Sequence, residues 1–275
     1  MDLENLNNYK KIVELYHLMN DDEALLKVFY ANDYPVPFKE LILYPVEVDL
    51  YLYFHLLVEC LVLPHKVSGD LKAISMSYFK YLCYLATEKG ETHHLVQLGE
   101  LLLIILKKPK EYIKDGVEKC TIEINLQKCI LKIEDKSFNE KDFDKLRKII
   151  LEQNAIELPD ETIHPDVLKA YKEMEEYKIK QSKVKMCSFE DQINVVVAKS
   201  SYRRDEVVKM TIRSFSRLLE RVDKIMHYEI MTLLSLEMDK KDRQSIEHYM
   251  AGDKTFEEKY KDAMMGLEEM KNKIK

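Results

Sequence analysis

The sequence predicts a mainly helical protein of α+β character: an N-terminal helical bundle with a small antiparallel β-hairpin or sheet, then a C-terminal helical region. Three observations carry this. Apolar residues make up 46% and charged residues 33% of the chain, the balance of a folded and well-solvated protein. Only six Gly and seven Pro occur among 275 residues, so positive-φ turns are few, while Leu, Lys, Glu, Met and Ile, which lose little freedom in helices, are plentiful. Apolar residues recur at helical spacing over most of the chain and alternate at period two only within about 109–136.

Taken in order, Tyr9, Ile12, Val13, Leu15, Tyr16 and Leu18 mark an opening helix, and Asp21 or Asp22 is placed to cap a second one running through Phe29. The segment YPVPFKELILYPVEV, with its prolines and the run from Leu41 to Tyr44, predicts a strand or extended arm ending near Pro45. Asp49 stands as the N-cap of an apolar helix over 50–63, expected to be buried on most sides, with Pro64 as its stop. ISMSYFKYLCYLATEKG predicts a helix closed by Lys89 and Gly90, and Thr92 is expected to cap a leucine-rich helix to Lys108. Beyond Pro109, the alternation in Tyr112 and Ile113, in 120–126 and in 130–133 predicts a hairpin or three-stranded sheet, with no NG or DG to fix its turns. Asn139 and Asp142 then form a capping box for a helix carrying Phe143, Leu146, Ile149, Ile150 and Leu151, which should pack on the sheet.

The acidic, proline-containing NAIELPDETIHP is the best linker, dividing the chain into 1–155 and 156–275. Pro165 suits the first turn of a charged, solvated helix to about Lys183. Ser188 and Asp191 box the start of a helix with Ile193, Val195, Val196 and Val197. After SSYRRDEV, Thr211 caps a long helix whose Ile212, Phe215, Leu218, Leu219, Val222, Ile225 and Met226 make one apolar stripe. Thr255 and Glu258 open a terminal amphipathic helix bearing Phe256, Tyr260, Met264, Leu267 and Met270.

Several function classes drop out. Neither GxGxxG nor GxxxxGK[ST] occurs, and no GxSxG, HExxH or kinase-like set is present, so the expectation is a protein that is not an enzyme and needs no cofactor. The five cysteines are scattered without a CxxC pair and the N-terminus lacks a signal-peptide apolar region, pointing to free thiols in a reducing cytoplasm. The apolar stretches 51–63 and 95–106 are too short to span a bilayer, and no membrane partner is expected. His93 and His94 have no third ligand at metal spacing, so no metal site is assigned, and His55 with Cys60 reads as a hydrogen-bonded core histidine and a buried thiol.

Two candidate surfaces remain. Arg213, Arg217 and Arg221 recur every four residues on one helix face, with Arg203, Arg204 and Lys209 just before them. That face suits phosphate in a helix-turn-helix arrangement over 189–223, but Asp205, Glu206, Glu220 and Asp223 and the net charge of −6 favour a solvated or acidic-partner-binding face. The stripe Phe256, Tyr260, Met264, Leu267 and Met270 packs on its own domain or lies in a partner's groove.

The strings FKELILYPVEVDLYLYFHLLVECLVL and ISMSYFKYLCYL in the first half, with FDKLRKIILEQN, FEDQINVVVAK and MTIRSFSRLLERVDKIMHYEI later, cover about half the chain. They resemble proteins from the structural and tail-assembly gene blocks of tailed bacteriophages of low-GC bacteria, and the second half is most like phage tail assembly chaperones. The resemblance implies a helical morphogenesis protein that binds the tape measure or tail tube protein in the cytoplasm of an infected bacterium, with homo-oligomerisation open to it. A structural component of the virion and a DNA-binding protein using the arginine face are the alternatives. The strings are fold texture, and they carry over no functional residue.

Overall fold

The computed structural model describes residues 3–19, 23–65, 70–107, 121–158, 173, 177, 187–236 and 248–251. The chain forms two compact units, Met1–Leu219 and Glu220–Lys275. It is mainly helical with antiparallel sheets of two and three strands, the class its composition predicts.

The first unit opens with α1 (Leu3–Leu18) and α2 (Glu23–Ala31). Tyr16, Leu26, Phe29 and Tyr30 turn into the core, and Tyr16 meets the Phe29 ring edge-on with centroids 5.4 Å apart. The expected caps of α2, Asp21 and Asp22, lie outside the described residues. The extended arm proves to be a hairpin of β1 (Val36–Phe38) and β2 (Leu41–Leu43), with Phe38 opposite Leu41. Its two turn residues, Lys39 and Glu40, have φ of 45° and 63°. Such turns are ordinarily announced by Asn-Gly, so this Lys-Glu pair gave no sign of itself in the sequence.

A 3₁₀ turn, Val48–Leu50, leads into α3 (Tyr51–Val58), and a second, Glu59–Leu61, leads out. Asp49 is not the cap of this helix. Its N-cap is Leu50 with no side-chain bond, and the Asp49 amide donates instead to the Val208 carbonyl at 3.0 Å. Nor is α3 buried on most sides. Phe54, Leu57 and Val58 face inward, while Leu52, Tyr53 and Leu56 are 64%, 46% and 61% exposed. His55 is exposed as well, beside the Tyr51 ring at 5.8 Å, and so is not a core histidine. An unbroken apolar run has no period from which its faces could be told apart.

The Asp70 and Ser77 side chains cap α4 (Leu71–Ile74) and α5 (Tyr78–Glu88). Gly90, at φ 74°, closes α5 in the left-handed conformation that glycine takes without penalty, and the Glu91 amide reaches back to the Leu85 carbonyl at 3.0 Å. Thr92 occupies the N-cap of α6 (His93–Ile105), but its backbone is already helical and its hydroxyl makes no cap bond, contrary to expectation. α6 buries Leu98, Leu101, Leu102, Ile104 and Ile105.

The period-two region supplies β3 (Ile122–Asn125), β4 (Ile130–Ile133) and β5 (Lys136–Phe138) in the order β3-β4-β5, while Tyr112, Ile113 and Cys120 lie outside the described residues. Ile122 pairs with Ile133 and Leu131 with Phe138. Leu131, Ile133 and Phe138 enter the main core together with α7 (Glu140–Gln153), where Phe143 stacks on Phe79 of α5 at 4.4 Å. The capping box read from Asn139 and Asp142 is present in both directions. On the inner side of α7, Arg147 is buried, its Nε donating to the Leu61 carbonyl at 2.6 Å and its guanidinium lying 3.6 Å from the Tyr78 ring centre.

Candidate functional site

The second half of the chain joins the core through a short strip of the first. α8 (Phe189–Lys199) begins with the Ser188–Asp191 capping box, α9 (Arg204–Val207) is a single turn, and α10 (Ile212–Leu234) follows. Thr211 caps α10 as expected, its Oγ1 accepting from the Ser214 amide at 3.1 Å. Between α9 and α10 the backbone pairs with the strip entering α3: Val48 N–H to Met210 O at 2.8 Å, Asp49 N–H to Val208 O at 3.0 Å and Ile212 N–H to Val46 O at 2.8 Å, around a bridge of Glu47 with Thr211. Val48, Ile193, Val196, Val207 and Phe215 make a second apolar cluster there, and Phe189 stacks on Tyr51 at 4.1 Å and 9° between planes.

A polar network surrounds this junction. Asp33, at φ 54°, accepts from Thr211 Oγ1 and from Ser214 Oγ, each at 2.6 Å. Arg213 Nη1 donates to the Glu152 carbonyl at 2.6 Å, and its guanidinium stands 5.4 Å from the Tyr30 ring centre. Burial, helped by the charge of Arg217, lowers the pKa of Arg213, while burial and the Glu152 carboxylate raise that of Tyr30. The guanidinium still remains charged. Asn154 and Gln153 complete the junction, Asn154 Oδ1 accepting from the Val46 amide at 2.9 Å and Gln153 Nε2 donating to the Leu43 carbonyl at 3.1 Å.

The arginine face read from the sequence is therefore divided among different tasks. Arg213 is half-buried and ties α10 to the end of α7. Arg217 is exposed. Arg221 is exposed and donates to the Tyr249 carbonyl at 2.7 Å within the second unit, where Tyr249, His248 and Tyr228 form an aromatic group. Arg203 pairs with Asp205 and Glu206, and Arg204 with Asn194 and Glu190. The connection from α8 to α10 occupies 200–211 and contains α9, whereas a helix-turn-helix joins its two helices by a three- or four-residue turn. The stripe Phe256, Tyr260, Met264, Leu267 and Met270 lies outside the described residues.

Two exposed apolar surfaces were missed by the sequence reading. One joins α3 and α6: Leu52, Leu56 and Val96 are exposed, and the helices are held together by Gln97 Nε2 donating to the Leu56 carbonyl and by the Tyr53 hydroxyl donating to Glu100. The other lies at the far end of α10, where Ile230, Leu233, Leu234 and Leu236 are each more than half exposed. The spacing of three and four residues was the available signal for the second. Among the described residues no group of three or more His, Cys, Asp or Glu is placed to hold a metal ion, and no helix is long and apolar enough to cross a membrane. His94 bonds to Gln97 and pairs with Glu91.

This is a mainly helical protein in which the segment 188–219 is anchored to the strip 46–49 by backbone pairing and an apolar cluster, and in which α3, α6 and the end of α10 carry exposed apolar residues. Residues 169–252 match the model of a phage-associated family described as YomV second domain, which points to a phage protein, as the resemblance implied. The match names no role in tail assembly. No curated protein and no solved structure matches the chain.

Proposed function

We propose that the chain is a non-catalytic phage morphogenesis protein that binds a tail protein, the tape measure or the tail tube subunit, through the C-terminal part of its helical second half. The observation that carries this reading is the exposed row Ile230, Leu233 and Leu234 on α10, lying within the segment that matches the phage-associated family. Apolar residues at intervals of three and four on an exposed helix are the form in which helices dock into a partner's groove. The stripe Phe256, Tyr260, Met264, Leu267 and Met270 extends the same chemistry, with methionines suited to an adaptable contact. The first unit acts as scaffold, and the protein works in the cytoplasm of the infected host.

Co-expression with a tape measure fragment, followed by size-exclusion chromatography, tests the proposal. A joint peak is expected for the intact chain, with loss of that peak for the Leu233→Asp, Leu234→Asp double variant. Separate elution of the intact chain and the fragment at micromolar concentration would sink it. Mass spectrometry of purified particles distinguishes an assembly factor, which is absent from them, from a virion component. DNA binding is the weaker alternative because Arg213 is already bonded to the Glu152 carbonyl. It requires affinity that falls steeply with added salt.

A further inference from the structure

α6 carries a glycine that its own fold does not require. Gly99 stands in the middle of this helix, and among the described residues a methyl group there would meet nothing within 4 Å beyond its own helix backbone. Glycine weakens a helix interior relative to alanine, and neither a left-handed backbone nor a crowded neighbour demands it here. The missing side chain leaves a notch between Val96, three residues before it, and Leu103, four residues after it, which are its neighbours on the helix surface. Val96 is 65% exposed, and α3 lies alongside with Leu52, Tyr53 and Leu56 open to solvent, held by the bond from Gln97 Nε2 to the Leu56 carbonyl at 2.9 Å.

The fixed charge around this face has one sign. Neither 40–65 nor 90–106 contains a Lys or Arg. Glu59 follows Leu56 by three residues and Glu100 follows Val96 by four, and both carboxylates are exposed, Glu100 accepting from the Tyr53 hydroxyl at 3.3 Å. Lys107, just past the end of α6, is held by Glu47 at 3.2 Å. His55 on α3 and His93 on α6 are exposed as well. We infer that the α3–α6 face is a docking site for an amphipathic helix of a partner protein, one whose apolar row is flanked by Lys or Arg. Leu52, Leu56 and Val96 receive the apolar row, Gly99 lets the partner's backbone come close, and Glu59 and Glu100 meet the flanking cations. A second copy bound about a two-fold axis would set the same carboxylates against each other, so the face does not suit itself. The same charge turns away an anionic lipid surface.

This site is separate from the α10 row of the proposed function and does not rest on that reading. The probe is a fluorescein-labelled peptide of about 18 residues, five helical turns, with leucines at intervals of three and four and lysines on both flanks. Fluorescence anisotropy with the full-length chain should show saturable binding. It should be at least about tenfold tighter than for matched peptides with glutamate in place of each lysine or glutamine in place of each leucine. Leu56→Ser and Gly99→Leu should each weaken it about tenfold without lowering the thermal midpoint, and the Leu233→Asp, Leu234→Asp double variant should bind as wild type does. Glu59→Gln with Glu100→Gln should weaken binding and flatten its salt dependence. Gly99→Ala should raise the thermal midpoint, because nothing crowds the added methyl group. Failure of the lysine peptide to bind overturns the inference, as does equal binding of either control peptide, binding that survives Gly99→Leu but not the α10 variant, or a fall in midpoint for Gly99→Ala. A wild-type dimer that Leu56→Ser dissolves would assign the face to a second copy and overturn it too.

Discussion

Asp33 shows how much a single side chain holds at the junction of the two halves. Two short hydrogen bonds reach its carboxylate from Thr211 and Ser214, both at the start of α10, and its own backbone is left-handed. Bonds to a charged acceptor are worth more than neutral ones, so Asp33→Ala should lower stability by about 2 kcal/mol in urea denaturation. Asp33→Asn keeps an oxygen acceptor and a residue type at ease in that conformation, and should lose under about 1 kcal/mol. Equal losses in the two variants would mean that the hydrogen bonds do not matter. None of this was legible in the sequence, since the partners lie far apart along the chain. The arginine spacing was legible, but its division was not, because the carbonyl that holds Arg213 belongs to Glu152 in the preceding half.

Helix starts were the most legible elements, because cap and capped amide lie within three residues of each other. The boxes at Asn139–Asp142 and Ser188–Asp191 form as read. Thr92 fails for a local reason, its backbone being already helical, and Asp49 for a distant one, its amide being drawn to Val208. In the Asn139 box, Asp142 has its carboxyl pKa shifted net downward. Burial opposes that shift, but the bonds from Lys39 and from the Asn139 amide outweigh it. A depressed folded-state pKa stabilises above the ordinary carboxylate range, and the contribution disappears as pH falls through the folded value. Asp142→Asn should therefore be less stable than wild type by about 1 kcal/mol at pH 7. The gap in urea midpoints should narrow as pH falls below the ordinary carboxylate range and through the lower folded value, and a pH-independent gap would rule out the carboxylate as its source.

At the scale of the whole molecule, the fold class followed from composition, while the attachment of the second half followed from contacts no local pattern announces. Phe215 is 2% exposed in the cluster with Val48, Ile193, Val196 and Val207. Phe215→Ala should cost about 3–5 kcal/mol, whereas Leu56→Ser, on the exposed face of α3, should shift stability by no more than about 0.5 kcal/mol. Thermal unfolding of the two variants beside wild type checks the contrast, and a large loss in Leu56→Ser would mean that this face is covered in solution.

The strip 46–49 has a further consequence for how the chain is made. Three of its backbone groups, the Val46 carbonyl and the Val48 and Asp49 amides, find their partners only at Ile212, Met210 and Val208. During synthesis the N-terminal portion leaves the ribosome with that edge still hydrated. The closing contacts arrive only after more than a hundred and fifty further residues have been translated, at roughly 5–20 residues per second. The newborn first half is thus an unfinished surface for roughly ten to thirty seconds, and its last pairing partner is supplied by the segment that bears the phage-family match.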